Sequence, residues 1–321
     1  MESREHRVTS IADYVQQVSE ITFNPDAFHA PPKLLFRGHS NKNYALVPSL
    51  ARRPSSVWQN SWTMVEKELV ERAQQKFPLI FSATDYPAIL LAKLQHYGIN
   101  TRMLDLTENA LVALYFACKQ HEDKDGEVLA FSAQPVSAYN PDINAIADTY
   151  RLTRNGLIPA SAYYYKVQNQ QYYSPYLYEP KTEESKQRIL ISFLNRIKKP
   201  FFVAVGSICE RQKNQGGYFL LFPNTIISDS EDQSLDDIFD PETEEPREQK
   251  FKGDECIGDE LARMSKDDCS VVRRFIIPKE AKKNMLVQLE RFGITTDFLF
   301  ADSVDEVCKG VVSECKKYFV E

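Results

Sequence analysis

Residues 95–117 carry the sequence QHYGINTRMLDLTENALVALYFA, in which one helix ends and another begins. The apolar periodicity of residues 86–97 predicts a helix, and Gly98 stands where a left-handed residue commonly follows a helix. Residues 109–120 predict a second helix with little polar surface, since most of its positions are apolar. A helix that is apolar almost all round is expected to be buried.

The segments on either side alternate between helical and extended patterns. Residues 61–77 predict a helix, and we expect Glu66 to lie on its solvated face together with the neighbouring charged residues. Because helices and strands are mixed and hairpins are not the rule, the predicted fold class is α+β. Further helices are predicted at 8–20 (N-cap Ser10), 61–77, 181–197, 279–292 and from 304 onward, and strands at 33–38, 127–131, 201–205, 271–277 and around Phe298.

The composition bounds the kind of protein that the chain forms. It has 321 residues, of which 43% are hydrophobic and 12% aromatic, with a formal net charge of −6, as in a globular domain. No apolar run approaches the roughly 20 residues of a membrane-spanning helix, and no secretory signal pattern is present. Six cysteines without a C-x-x-C pair argue against a zinc site or a disulfide framework. We therefore expect a cytoplasmic protein with reduced thiols, no metal and no membrane contact.

Three segments stand apart from this regular pattern. Residues 139–180 carry many tyrosines, and we interpret them as an irregular surface region, with stacking on a nucleotide base as the alternative. Residues 228–260 are rich in aspartate and glutamate and predict an exposed acidic loop or lid insertion. Residues 1–30 are expected to form an N-terminal helical lead-in.

Four segments resemble the FRG domain family and follow one another in its usual order. They are Phe36-Arg37-Gly38, residues 95–117, residues 211–219 (RQKNQGGYF) and residues 276–294. The second is the most specific, although Asn100 and Leu106 stand where the family often has proline and tryptophan. The resemblance implies one FRG domain over residues 1–321, with an ADP-ribosyltransferase-like split β-sheet that is flanked by helices.

The resemblance to ADP-ribosyltransferases also implies a site for NAD, which such enzymes use as a substrate. Arg37 is expected to contact the phosphate and ribose on the nicotinamide side, and Gly38 to let the backbone approach the ligand. Alternatively, Arg37 pairs with a buried carboxylate such as Asp105. Thr107 is expected either to bond the ribose or to cap the next helix, and Asp105 to hold Arg37 or Arg102 in place.

The same comparison implies a catalytic glutamate that stabilises the oxocarbenium-like transition state as nicotinamide leaves. The aligned position is Gln215, which carries no negative charge. Either Gln215 bonds the ribose without charge, or Glu210 serves, or the domain catalyses nothing. His96 is a candidate acid, base or ribose ligand, His39 a candidate cleft residue, and Arg102 a candidate for a second phosphate.

Three hypotheses about function follow. The first is an NAD-dependent ADP-ribosyltransferase that acts on RNA, DNA or protein as an intracellular effector or toxin, for example in phage defence, with an antitoxin or sensor as partner. The second is a catalytically inert nucleotide-binding or sensor module. The third is a nuclease that uses His96, Asp105 and Glu108, although no compact acidic metal motif supports it. A carboxylate that faces Arg37 in one cleft would favour the enzyme.

Overall fold

The computed structural model describes residues 4–23, 31–52, 62–152, 158–173, 182–206, 214–227 and 255–300. The helices are α1 (Ile11–Ser19), α2 (Trp62–Lys76), α3 (Pro87–His96), α4 (Ala110–Cys118), α5 (Pro141–Ala147), α6 (Thr149–Leu152), α7 (Ala160–Gln168), α8 (Glu183–Ile197), α9 (Lys279–Arg291) and α10 (Thr296–Leu299), with a 3-10 helix at Ser49–Arg52. The strands are β1 (Glu5–Arg7), β2 (Lys33–His39), β3 (Met103–Thr107), β4 (Gly126–Ala133), β5 (Val136–Ser137), β6 (Ile158–Pro159), β7 (Phe201–Ala204), β8 (Gly217–Leu221), β9 (Asn224–Ile227), β10 (Cys256–Leu261) and β11 (Val271–Ile277).

Eight strands form one large mixed sheet, in the order β1-β11-β4-β2-β3-β8-β7-β5. The pairs β1–β11 and β5–β7 are parallel and the other pairs of this sheet are antiparallel. A smaller antiparallel sheet has the order β6-β10-β9. The α+β class and the large sheet flanked by helices are therefore confirmed. No helix among the described residues is long and apolar enough to cross a membrane.

The apolar core consists of three clusters around the large sheet. Alternation along β2 directs Phe36 to a cluster with α1, α4 and α9, and Leu35 to a cluster with the 3-10 helix, α2 and β8. The third cluster joins α3 to α5, α6, α7 and α8 and contains Tyr163 and Phe193. The central strands β2, β3 and β4 are thus covered on both faces.

Helix α4 lies directly on the backbone of the two central strands β2 and β4. A Cβ atom on Gly38 would lie 2.0 Å from the carbonyl oxygen of Ala113, and one on Gly126 would lie 2.4 Å from that of Ala117. Gly38 is therefore required for the packing of the helix on the sheet, a reason different from the expected close approach of the backbone to a ligand. Ala113 and Ala117 are one helical turn apart and fully buried, so the contact face of α4 consists of small residues.

The structure corrects three predictions about secondary structure. The described part of the tyrosine-rich segment, residues 139–152 and 158–173, is largely helical and not irregular, and the rings of Tyr163, Tyr172 and Tyr173 are buried in the core. Their hydroxyls remain satisfied there; Tyr163, for example, donates to the carbonyl oxygen of Ala145 at 2.7 Å. The residues around Phe298 form the short helix α10 and not a strand. Within the predicted acidic insertion, residues 256–261 form β10; residues 228–254, like the helix expected after 304, lie outside the described residues.

Gly38→Ala should destabilise the protein by about 1–3 kcal/mol, since the added methyl group has no space beneath α4. The free energy of unfolding, measured by urea denaturation, checks this expectation. Gly206→Ala is the matched control, because a Cβ at Gly206 meets no atom within 4 Å and the change should stay within about 0.5 kcal/mol. Equal stability of the two variants would contradict the proposed packing role.

Candidate functional site

A large cavity opens where β2 and β3 part from one another. The two strands share one registered pair, Phe36 with Thr107, whereas β2 pairs with β4 along its whole length. The cavity has a volume of about 1020 Å³. Its walls come from β2 and β3, α4, the 3-10 helix, the start of α2, Gln215 before β8, and residues 260–264 at and just after the end of β10. The split sheet of an ADP-ribosyltransferase-like fold stays a prediction.

Arg37 stands at the mouth of this gap and bridges the two strands. Its Nη1 donates to the backbone carbonyl oxygen of Asp105 at 2.8 Å and lies 3.8 Å from the Asp105 carboxylate. Burial lowers the pKa of Arg37 to about 10; the Asp105 carboxylate opposes this shift and the positive charge of Arg52 adds to it. Arg37 therefore remains charged at neutral pH. Its side chain is 19% exposed, and this exposed part is open to a ligand in the cavity, whereas its Nε is buried and forms no hydrogen bond among the described residues.

Asp105 holds Arg37 in place, as expected, but through its backbone. The carboxylate itself is 53% exposed, lines the cavity and accepts from Nε2 of Gln95 at 3.2 Å. Arg37 therefore pairs with Asp105, the partner named in the alternative, but that carboxylate is exposed and not buried. Asp105 and Arg37 together place an anion and a cation side by side in the cleft.

His39 lines the same cavity two residues beyond Arg37 and is 5% exposed. Its Nδ1 lies 3.7 Å from the Glu127 carboxylate, too far for a hydrogen bond. Burial lowers the pKa of His39 to about 4, because it outweighs the opposing effect of Glu127 and is reinforced by the charges of Arg37 and Lys266. His39 is therefore neutral at pH 7.

Glu127 is fully buried behind His39 and pairs with two basic residues. Arg274 donates to Oε1 at 2.6 and 2.9 Å, and Lys266 donates to Oε2. Burial by itself would raise the pKa of Glu127, but His39, Lys266 and Arg274 outweigh it and lower that pKa to about 2. A fixed negative charge thus lies beneath the floor of the cavity.

Thr107 and Gln215 meet at the end of the cavity, where β3 and β8 begin to pair. The Thr107 hydroxyl donates to the backbone carbonyl oxygen of Gln215 and accepts from the backbone N–H of Asn109 at 2.9 Å. Asn109, and not Thr107, is the N-cap of α4. Nε2 of Gln215 donates to the carbonyl oxygen of Leu299 at 3.0 Å, so its amide group is tied to α10.

Arg102 does not line the cavity. It is fully buried and binds the carboxylate of Glu66 through Nε at 2.9 and 3.0 Å and through Nη2 at 2.5 Å. Its Nη1 donates to Oδ1 of Asn224 at 2.8 Å, which links α2 to β9 of the small sheet. Glu66 is 1% exposed, which corrects the prediction of a solvated position. Because the donors of Arg102 are engaged inside the protein, we assign it a structural role and leave it out of the proposed phosphate site.

The remaining candidates do not come together with Arg37. His96, at the end of α3, is partly buried and contacts the ring of Tyr97 at 4.8 Å between centroids, and it is not part of the cavity wall. Glu108 pairs with Lys33 at 2.7 Å on the surface. Glu210 lies outside the described residues. In the described ranges no three histidine, cysteine, aspartate or glutamate residues are grouped so as to hold a metal ion.

Sequence reasoning missed four side chains of the cavity wall: Arg52, Trp62, Glu260 and Arg263. They belong to three segments that only the tertiary structure brings together. Arg52 alone had a signal, since it follows Phe36-Arg37-Gly38 at the end of the apolar segment Pro48-Ser49-Leu50-Ala51. The charged groups of the wall are thus Arg37, Arg52 and Arg263, with Asp105 and Glu260.

Arg102→Leu should lower the free energy of unfolding by about 3–5 kcal/mol, because it leaves the carboxylate of Glu66 buried without a partner. Chemical denaturation measures the change. Arg72→Leu, on the exposed side of α2, removes an ion pair with Glu68 and is the control, with an expected loss within about 1 kcal/mol. If both substitutions cost the same, the assigned structural role of Arg102 is wrong.

The stability of the protein should fall between pH 7 and pH 5 because of His39. Its folded pKa of about 4 lies below the ordinary value of 6.5, so the unfolded chain binds the proton first and the contribution disappears as the pH drops through this window. The expected loss is about 2 kcal/mol. His39→Gln should flatten the wild-type difference between pH 7 and pH 5, measured by urea denaturation at both values. The effect of Glu127 lies mostly below its ordinary pKa of 4.5 and therefore adds little in this window. An unchanged pH dependence in the variant would refute the assignment.

A comparison with known protein families identifies one domain in the chain. The family model of the FRG domain matches residues 32–126, which include β2, α3, β3 and α4 and extend to Gly126. The two later segments of the resemblance, which contain Gln215 and residues 276–294, lie beyond the match. The chain matches no curated protein and no solved structure. The chain therefore contains an FRG domain, and its residues form the Arg37 side of the cleft.

Proposed function

We propose that the cleft binds NAD and that the protein transfers ADP-ribose from NAD to a macromolecular acceptor. The observation that carries the proposal is Arg37, whose guanidinium is charged at neutral pH, lines a large cavity and is held there by a hydrogen bond to the backbone carbonyl oxygen of Asp105. Its Nε is buried without a hydrogen-bond partner among the described residues. A planar fork of donors fits the oxygens of a phosphate group. The cavity volume stands at the upper end of the range of about 300–1,000 Å³ that is typical of small-molecule sites.

A carboxylate of the cavity wall supports a reaction as well as binding. The bond between nicotinamide and ribose breaks when nicotinamide leaves with the bonding electron pair, and positive charge then develops on the ribose. A carboxylate nearby stabilises that charge before a nucleophile of the acceptor attacks the anomeric carbon and loses its proton. Asp105, 3.8 Å from Arg37, is our candidate for this role. The acceptor would be a nucleic acid or a protein, as for an effector or toxin.

A second candidate function is a nucleotide-binding module without turnover. It is favoured by Gln215, which stands where the resemblance implies a glutamate and whose amide is bonded to Leu299. In this case NAD would bind in the cleft and nicotinamide would stay attached.

The test combines NAD binding, measured by calorimetry, with nicotinamide release, measured by chromatography in the presence of cell lysate as acceptor. Arg37→Ala should weaken NAD binding about tenfold or more, because a charge-assisted phosphate contact is lost. Asp105→Asn should lower the rate of release about a hundredfold while affinity changes little, since asparagine keeps the backbone carbonyl that holds Arg37.

Arg188→Ala is the matched control, because Arg188 lies on the exposed surface of α8 and, among the described residues, forms its ion pair with Glu184. It should behave as the wild type. NAD binding without release in the wild type would establish the binding module. If the wild type neither binds nor consumes NAD, both candidates that involve NAD are wrong.

A further inference from the structure

The cavity wall contains further side chains that the proposed contacts of Arg37 and Asp105 leave unused. They are Arg52 at the end of the 3-10 helix, Trp62 at the start of α2, and Arg263 just after β10. Glu260 and Met264 lie beside them. We refer to Arg52, Trp62 and Arg263 as the arginine–tryptophan subsite.

Backbone hydrogen bonds fix the three segments of this subsite in place. The 3-10 helix is held by the bond from the N–H of Leu50 to the carbonyl oxygen of Thr101, at 3.2 Å. The carboxylate of Asp259, on β10, accepts from the N–H of Trp62 at 2.9 Å and from that of Thr63 at 3.2 Å. The start of α2 is thereby tied to the strand that leads to Arg263. A site built on bonded segments loses little conformational entropy when a ligand binds.

The charges of the subsite favour an anion. Neither Arg52 nor Arg263 forms an ion pair with any residue that the structure describes, and Arg52 repels Arg37 strongly enough to help lower the pKa of that residue. Three guanidinium groups face one cavity, against the two carboxylates of Asp105 and Glu260. An anion between the arginines would relieve the repulsion and form charge-assisted hydrogen bonds.

Trp62 adds a flat apolar surface next to these charges. It packs on one side against the cluster that includes Leu50 and Leu261, and it also lines the cavity. An indole that is supported by the core and open toward a cavity is a platform for a planar ring. A ligand with a planar base and phosphate groups within a few bonds of one another matches this combination.

We infer that the arginine–tryptophan subsite binds the adenine nucleotide part of the ligand, with its base stacked on Trp62 and its phosphates between Arg52 and Arg263. The inference rests on the proposed use of NAD for the identity of the ligand, and it leaves Arg37 for the nicotinamide nucleotide part. Glu260 lies where its carboxylate can accept a hydrogen bond from a ribose hydroxyl or from the adenine amino group.

The test is a titration of the full chain with ADP, pyrophosphate and nicotinamide mononucleotide. The chain has two tryptophans, so in a Trp58→Phe background its tryptophan fluorescence comes from Trp62 alone. ADP should quench this fluorescence and pyrophosphate should not. Arg52→Ala and Arg263→Ala should each weaken ADP and pyrophosphate binding about tenfold. Trp62→Ala should weaken ADP binding about tenfold or more and leave pyrophosphate binding unchanged.

Arg37→Ala and Arg188→Ala complete the comparison. Arg37→Ala should affect nicotinamide mononucleotide more than ADP, and Arg188→Ala, on the surface of α8, should affect no ligand. Far-ultraviolet circular dichroism of each variant shows whether it is folded, and Arg52→Lys, which keeps the charge, should retain most of the affinity for ADP.

The outcomes separate this inference from the proposed function. If NAD binds but ADP binding is the same in wild type, Arg52→Ala and Trp62→Ala, the subsite is wrong and the proposed function stands. If ADP binds as described while NAD is neither bound nor consumed, the subsite stands and the proposed function falls. Absence of ADP binding in the wild type overturns the subsite, and nicotinamide release then decides the function alone.

Discussion

The contact between α4 and the two central strands determines the arrangement of this domain. Glycine residues at 38 and 126 let the helix backbone rest on the strand backbones, with Ala113 and Ala117 at the contact. Interiors are packed as densely as crystals, so a methyl group at either glycine has to displace the helix. Because Gly38 follows Arg37 directly, the contact that fixes the helix also fixes the position of the arginine. The packing of α4 on the sheet and the position of Arg37 therefore depend on the same backbone contact.

Buried charges support the same arrangement from the other side of the sheet. The Arg102–Glu66 pair joins α2 to the start of β3, and Asn224 extends it to the small sheet. Such a pair contributes little net stability, because desolvation offsets the attraction, but removal of one partner is costly. The pair therefore adds little to the free energy of unfolding, but it determines that α2, the start of β3 and β9 pack together. Arg37 lines the cavity, whereas Arg102 binds a buried carboxylate. This difference in surroundings gives the two arginines different roles.

Much of this fold was predictable, and the failures have physical causes. The helices at α1, α2, α3, α4, α8 and α9 follow from apolar periodicity, capping residues and Gly98, all of which are local signals. The position of Glu66 was not predictable, because the partner that neutralises it is supplied by a residue 36 positions away. The tyrosine-rich region was misread because a tyrosine ring can be buried whenever its hydroxyl finds an acceptor, which depends on the tertiary structure.

The candidate site divides in the same way. Arg37 and Asp105 were identified because each lies in a short sequence motif. The two motifs form neighbouring strands, so the sheet brings the two residues close together. Trp62, Glu260 and Arg263 carry no local signal. They line the cavity because the tertiary structure brings the start of α2 and the end of β10 to the gap between β2 and β3. The Asp259 carboxylate that ties Trp62 to β10 is a contact across 197 positions of the chain. Long-range contacts of this kind are invisible to periodicity and to short motifs.

The placement of the carboxylate in the cleft also bears on how an enzyme of this type would work. A residue on β8 would depend on α10 for its position, because both Asn214 and Gln215 donate to carbonyl oxygens there, at Phe298 and Leu299. Asp105 depends on nothing so remote, since its own backbone carbonyl holds Arg37 at 2.8 Å and its carboxylate lies 3.8 Å from the same guanidinium. The cation that would bind phosphate and the anion that would stabilise a developing positive charge are therefore fixed relative to each other by a single residue. Because Arg37 lies on β2 and Asp105 on β3, the geometry that differential binding of a transition state requires depends on the register of these two strands, which the bond between the two residues helps to maintain.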